Sequence, residues 1–362
     1  MKKLVLNSVH EELGAKMVDF AGFSMPVQYE GVKIEHKNIR ENVGVFDVSH
    51  MGEFIVQGED AELFLQKTTS NDVTLLNDGQ VQYSCIPNDR GGIIDDLLVY
   101  RFSSSKYLLV VNASNIEKDW SWLNAKNDTS AVLKNVSDDW NLFAVQGPNS
   151  SKVLTKITSM DLQSMKYYTF QVGTIADVSG ALVSATGYTG AGGYEIYVKN
   201  SDALKVWDAI MKAGEDEGIK PTGLAARDTL RLEMGYALYG NDIDDSTSPI
   251  EAKLGWITKL NTEFPSVDIF RKQKEQGVER KLVAFELLER GIPRKDYDLV
   301  EEEGNVIGRV TSGTMSPTLD KAIGMGYVMK EYSKVDTEIY IEIRNKKVKA
   351  KVVKLPFVLS NV

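Results

Sequence analysis

The chain of 362 residues is 43% apolar and 26% charged, a globular composition too long for one ordinary core, so two or three domains are expected. Its net charge of −9 argues against a nucleic-acid partner, and no apolar run approaches the roughly 20 residues that a membrane helix needs. The three histidines, His10, His36 and His50, lack i, i+4 spacing, and the single cysteine, Cys85, excludes an internal disulfide, so neither a metal-ligand pattern nor a disulfide framework is expected.

The amino terminus, MKKLVLNSVHEELG, has only a three-residue apolar stretch and does not read as a secretory leader. With the lone cysteine, this makes a reducing cytoplasm the expected compartment. KIEHKNIRENV (33–43) predicts a helix that ends near Gly44. FDVSHMGEFIVQG alternates as a strand, and the turn at 58–60 opens a helix over about 60–67. From 80 to 112 the pattern is strand-rich. VQYSCIP, the turn at 88–92, IIDDLLVYRF and KYLLVVNA predict an antiparallel hairpin followed by a third strand. IEKDWSWLNA predicts a helix, and a second strand-rich zone runs from NLFAVQG at 141 through LVSATGYTGAGGYEIYV at 182–198. Two helices follow, ALKVWDAIMKAGEDEG and LAARDTLRLEMG, the second closed by Gly235.

The charged stretch 264–281 is expected to be part-helical, has little to bury and makes 266–281 the expected linker between residues 1–265 and 282–362. Short alternating strands then follow without a long helix between them: KLVAFEL, VIGRVTSG, AIGMGYV, TEIYIEI and KVKAKVV. They predict a small antiparallel barrel or sandwich. The fold class is therefore α+β over 1–265 with an all-β domain over 282–362.

IIDDLLVY at 93–100 sets two carboxylates among apolar neighbours. Alternation puts Asp96 on one face with Ile94, Leu98 and Tyr100, and Asp95 on the other with Ile93, Leu97 and Val99. Aspartate is depleted in strands, and a buried charge without partners is costly. Either the pair caps backbone amides near a strand end or one carboxylate is held in a cleft for chemistry, and the pattern weights the two evenly. TGYTGAGGYE at 186–195 has the glycines of a dinucleotide loop but runs on into β-like YEIYV, so it reads as a hairpin. Glu195, in mid-strand, suits two parallel N–H bonds from the guanidine-like edge of a pterin or from an arginine head, with a buried Glu–Arg pair as the plainer alternative. Arg227 and Arg231 share a helix face, either as an anion clamp or as ordinary paired arginines. Tyr188, Tyr236 and Trp256 offer rings for stacking or for a core. His50 and Met51 fit packing as well as function.

Laid out in order, MVDFAGFSMPVQY (17–29), GVFDVSHMGEF (44–54), GGIIDDLLVYR (91–101), VVNASNIEKD (110–119), QGP (146–148), TGYTGAGGYE (186–195), GLAARDTLRLE (223–233) and TSGTMSP (311–317) resemble the glycine cleavage T-protein family. The resemblance runs from about residue 6 to PFV at 356–358. It implies a three-domain, cloverleaf-like α+β arrangement of antiparallel sheets with helices, in which 1–265 forms two intertwined subdomains and 282–362 a barrel-like domain, with tetrahydrofolate in a central cavity. It implies a catalytic, folate-facing Asp96, and a folate site lined by Met51, Tyr83, Val111, Asn112, Tyr188, Glu195 and Arg227, with Glu195 on the pterin edge. No metal is implied.

The activity implied belongs to glycine catabolism and one-carbon metabolism. The aminomethyl carbon moves from the lipoyl arm of the H protein to tetrahydrofolate, giving 5,10-methylenetetrahydrofolate and ammonia. Asp96 would orient the folate, take a proton and stabilise developing positive charge. No covalent nucleophile is needed, and Cys85, in a strand with no nearby His in sequence, is a poor one. The chain departs from the family at its LSNV tail (359–362), where members often carry further polar or aromatic residues. One rival is a non-catalytic folate-binding relative in iron–sulfur cluster maintenance, which would carry a characteristic cysteine-containing segment with no equivalent here. The other is a folate-dependent demethylase fused to a flavin enzyme, which would need a flavin domain that 362 residues do not accommodate.

Overall fold

A computed structural model describes residues 1–360; Asn361 and Val362 of the LSNV tail lie outside the described residues. Two sheets form the body of the amino-terminal region. The first is five-stranded, in the order Val81–Pro87, Ile93–Ser103, Lys106–Val111, Gly52–Gln57 and Val132–Asn135, antiparallel throughout. The second is six-stranded, in the order Phe170–Ile175, Val178–Ser184, Gly193–Lys199, Trp140–Gln146, Val43–Asp47 and Ile219–Pro221, and only its last pairing is parallel. A small three-stranded sheet of Lys2–Lys3, Phe23–Gln28 and Lys16–Phe20 flanks them.

Three cores follow from the strand alternation. One face of the five-stranded sheet buries Phe54, Leu97, Val99 and Leu109 against the helices Ala61–Thr68 and Ile116–Lys126. One face of the six-stranded sheet buries Phe143, Val145 and Ile196 against Trp207 and Ile210 of the helix Ala203–Ala213. Between the sheets, Phe46, Tyr100, Leu108, Leu142 and Tyr197 share a third core, where the hydroxyls of Tyr100 and Tyr197 meet at 2.9 Å. That bond ties the two sheets together at depth.

FDVSHMGEF, expected as one strand, is broken. Val43–Asp47 pairs within the six-stranded sheet, a turn closes with the Met51 N–H donating to the Val48 carbonyl, and Gly52–Gln57 starts in the five-stranded sheet. The break carries the chain from one sheet to the other and leaves His50 and Met51 at the crossing.

The helix Leu224–Met234 ends where Gly235 takes φ +71°, the left-handed conformation that a glycine adopts without strain. Its carboxyl-terminal half locks the barrel. Arg231, almost wholly buried, pairs with Asp242 at 2.6 Å and donates to Ser312 Oγ at 2.8 Å. Glu233 accepts from Ser316, Thr318 and Arg40. The barrel is closed, six-stranded and antiparallel: Arg280–Leu287, Lys321–Met329, Val306–Ser316, Asp298–Val300, Glu338–Ile343 and Lys346–Val353. Its inward residues Val283, Phe285, Val310, Ile339 and Ala350 fill the interior.

The 266–281 segment is not free of packing. It carries the helix Val267–Gln276, in which Val267 and Phe270 are buried with Phe264, while Ser266 Oγ donates to the Asn88 carbonyl at 2.7 Å. No helix among the described residues is long and apolar enough to cross a membrane.

Candidate active site

The two aspartates sit near the start of the strand Ile93–Ser103, the second strand of the five-stranded sheet. Cys85 faces Asp96 across one ladder, and the next strand, Lys106–Val111, ends just before Asn112. Asn112 Nδ2 donates to Asp95 Oδ1 at 2.8 Å, to Asp96 Oδ1 at 2.9 Å and to the Asp96 carbonyl at 3.1 Å, and its backbone N–H donates to Asp95 Oδ2 at 2.9 Å. Tyr83 completes the set, its hydroxyl donating to Asp96 Oδ2 at 2.7 Å. Asp95 is fully buried and Asp96 partly so. Desolvation, and then the neighbouring Asp95 charge, push the Asp96 carboxyl up to about 7 against the hydrogen bonds from Tyr83 and Asn112. A carboxyl poised there can both take and return a proton near neutral pH. The expectation that strand alternation separates the two aspartates is therefore incomplete, because one asparagine holds both.

Arg227 extends its guanidinium over the ring of Tyr188 at 4.2 Å, and Tyr188 stacks on Tyr236 at 5.7 Å. The Tyr188 hydroxyl is anchored to the Ala237 carbonyl. Arg227 makes no ion pair and no hydrogen bond to a protein group among the described residues, so its five N–H donors remain unspent. Desolvation lowers its proton affinity. Arg231, one turn on, points away into the barrel latch, so the two arginines expected to share a role have separate ones.

Glu195 pairs with Ser184 across one ladder and Ala144 across the other, and it accepts from the Thr186 hydroxyl. Burial raises its carboxyl, opposed by Thr186 and by the Arg227 charge. Tyr188 feels the charges of both Arg227 and Asp96, and Tyr168 those of both Glu195 and Asp96. Strands of both sheets and the helix Leu224–Met234 thus contribute to one polar region.

Of the residues expected at this site, Tyr83, Asp96, Asn112, Tyr188, Glu195 and Arg227 come together in this way. Met51 lies at the crossing between sheets and lines a cavity of about 580 Å³ with Phe23, Ser49, Ala113, Ser114 and Asn141; Asp96, Glu195 and Arg227 are not among its walls. Val111 does not join them through its side chain, which is fully buried in the core under the five-stranded sheet.

Trp256 and His50, which the sequence leaves open between a functional role and packing, have different settings. Trp256 is 62% exposed, with its ring 6.0 Å from that of the partly buried Tyr83. His50 is fully buried beside Phe20 and Phe23. Burial and then the Arg227 charge hold its imidazole down at about 3, so it is neutral at any working pH. Only the influence of the Arg227 charge distinguishes it from packing.

Two family models cover the chain: the GCVT N-terminal domain over residues 6–262 and the glycine cleavage T-protein C-terminal barrel domain over 280–358. The chain belongs to the glycine cleavage T-protein family. Relatives named aminomethyltransferase are 58% identical in Flavobacterium psychrophilum, with 99% of each chain covered, and 51% identical in Chloroherpeton thalassium, with all of each covered. The crystal structure of a glycine cleavage system aminomethyltransferase T from Bartonella henselae is 34% identical, superposes with a TM-score of 0.93 and covers 99% of this chain and 98% of its own. With full-length relatives at this identity, the T-protein chain described here is a transferase enzyme. Its barrel is the family's C-terminal domain, and its polar centre lies within the matched N-terminal domain.

Proposed function

We propose that the protein transfers an aminomethyl group from the reduced lipoyl arm of an H-type carrier protein to tetrahydrofolate, releasing ammonia and 5,10-methylenetetrahydrofolate. The reading rests on one observation above the others. Asp96 is a desolvated carboxyl at about 7, bonded by Tyr83 and Asn112, in a region that also holds an uncommitted arginine and a second carboxylate.

The balance of the reaction defines what the site must do. The carbon–sulfur and carbon–nitrogen bonds of the donor break, two carbon–nitrogen bonds to folate form, and two folate N–H protons leave for sulfur and for ammonia. Bound folate supplies the two nitrogens. Asp96 is the group suited to hold a proton between those sites, and as the anion it favours positive charge on the transferred carbon. Tyr83 and Asn112 fix which way the carboxylate points.

The residues present fit a reduced folate. Glu195 keeps one carboxylate oxygen free of protein donors beside the one held by Thr186, which suits the N–H edge of a pterin. Arg227 brings unspent donors for a carbonyl or carboxylate, and it is held flat by Tyr188. Tyr83 and Trp256 offer ring faces. Holding both reactants here supplies the rest of the acceleration through proximity.

The test is to mix the protein with tetrahydrofolate and an aminomethylated lipoyl carrier. Ammonia release with methylene-folate formation is the expected result. Tight folate binding without turnover would overturn the reading in favour of a folate-binding scaffold.

A further inference from the structure

Behind Asp95 lies a third carboxyl. Asp119, on the helix Ile116–Lys126, is fully buried, and neither of its oxygens receives a hydrogen bond from any donor among the described residues. Its carboxyl lies within hydrogen-bonding reach of the Asp95 carboxyl. Asp95 accepts from the Asn112 backbone, the Asn112 side chain and the Asn115 side chain. Two buried carboxylates in contact cannot both be ionised, so one of them carries a proton. Donors decide which: the three N–H groups stabilise the anion on Asp95, whereas Asp119 has no hydrogen-bond donor among the described residues and only the Lys118 charge in its favour.

We infer that Asp119 is a neutral, hydrogen-bond-donating positioning residue: as the acid it keeps Asp95 ionised, and through Asp95 and Asn112 it sets the orientation and charge environment of Asp96. The chain of contacts is continuous. Asp119 donates to Asp95, Asp95 holds both N–H groups of Asn112, and Asn112 Nδ2 donates to Asp96 Oδ1. Burial, and then the Asp95 charge, push the Asp119 carboxyl up to about 11, so it stays protonated at working pH.

Other titratable groups face this chain. Lys118 on the same helix and Tyr239 from the loop after the helix Leu224–Met234 reach Asp119, with Lys118 Nζ donating to the Tyr239 hydroxyl at 2.6 Å. Tyr83, Cys85, Tyr168 and Tyr188 face Asp96. The thiol and the four phenols have ionisations raised by burial, so none changes charge near pH 7. The ionised Asp95 is one reason that Asp96 titrates near neutrality rather than in the ordinary carboxylate range.

This role depends on Asp96 being the proton-transferring group of the proposed reaction, and the test separates the two. The pH dependence of kcat/KM is measured for full-length wild type, Asp119→Asn, Asp119→Leu and Asp96→Asn. Asparagine at 119 still donates to Asp95, so its acidic limb should stay where the wild type has it. Leucine leaves Asp95 to take the proton itself. Asp96 then loses a like-charged neighbour, and the acidic limb should move down by about one pH unit with turnover reduced roughly tenfold.

A folded Asp119→Leu protein whose acidic limb has not moved would overturn the inference, provided Asp96→Asn is inactive. An active Asp96→Asn would instead overturn the reading of the site. Infrared spectroscopy keeps the question open to test even if the leucine protein fails to fold. Wild type at about pH 8 should show the C=O stretch of a protonated buried carboxyl that Asp119→Asn lacks, above any contribution from the buried and unpartnered Glu53. Identical spectra in that region would contradict a protonated Asp119.

Discussion

The side-chain amide of Asn112 donates to Asp95 at 2.8 Å and to Asp96 at 2.9 Å, so two carboxylates on successive positions of one strand are held by a single group. Asp95→Asn is therefore not a silent change on the far face of the strand. The new amide must turn its NH2 towards one of the N–H donors that Asp95 accepts from, and losing such an orienting bond costs about 1–3 kcal/mol. Turnover should fall about 10- to 100-fold with the fold retained, as read from steady-state rates beside a circular dichroism spectrum. Wild-type turnover in Asp95→Asn would show that Asn112 holds Asp96 without help.

Glu195 is expected to carry folate affinity rather than turnover. Glu195→Gln swaps one acceptor for a donor and removes the charge facing a pterin edge, which should cost roughly 2–4 kcal/mol of binding. Isothermal calorimetry with tetrahydrofolate gives the answer directly. An unchanged dissociation constant would remove Glu195 from the site.

The latch between helix and barrel makes a separate prediction about stability. Burial alone would raise the Glu233 carboxyl, but the bond and charge of His36, the Ser316 hydroxyl and the Arg40 charge outweigh it and hold Glu233 down at about 2. Depressed acids stabilise the fold above their unfolded pKa, and the gain is lost as pH falls through the folded value. Glu233→Gln should therefore destabilise by roughly 1–3 kcal/mol near pH 7, because it leaves the partly buried Arg40 with a weaker partner. The difference from wild type in thermal melts should shrink as the pH falls towards about 2. A pH-independent difference would mean that packing, not charge, is what the glutamate contributes.

The strand 93–103, the helix closed by Gly235 and the barrel strands could be read from alternation and capping, because each is decided by its own local pattern. What escaped the reading was decided across the fold. The helical stretch 267–276 reads as part-helical linker, and its packing is hidden because only Val267 and Phe270 turn inward and their partner Phe264 precedes it. FDVSHMGEF hid a change of sheet that alternation cannot register. The candidate site was legible as residue types, with Asp96, Glu195 and Arg227 standing out as polar groups in apolar elements. Their wiring was not: Asn112 and Asp119 come from the next strand end and a following helix, and Arg231 proved to be a latch residue rather than a second clamp.

The pH dependence follows from Asp96. Its folded carboxyl sits at about 7, above the ordinary aspartate value, so kcat/KM should rise through about pH 7 as it ionises. A raised acid has the opposite effect on stability. Its contribution is fully present below the unfolded value and is lost as pH rises through about 7. A rate profile flat from about pH 5 to 8, with chemistry shown to be rate-limiting, would rule Asp96 out as the titrating group.

Turnover and melting of Asp96→Asn, measured side by side, test the central claim most directly. Asparagine keeps the shape of the side chain but takes away its charge and its capacity for a proton. Ammonia release from the aminomethylated carrier should fall about 10²- to 10⁴-fold. The melting temperature above about pH 7 should hold or rise, since a desolvated charge has been removed. Turnover within about twofold of wild type, together with a lowered melting temperature, would contradict the account and leave Asp96 a structural cap.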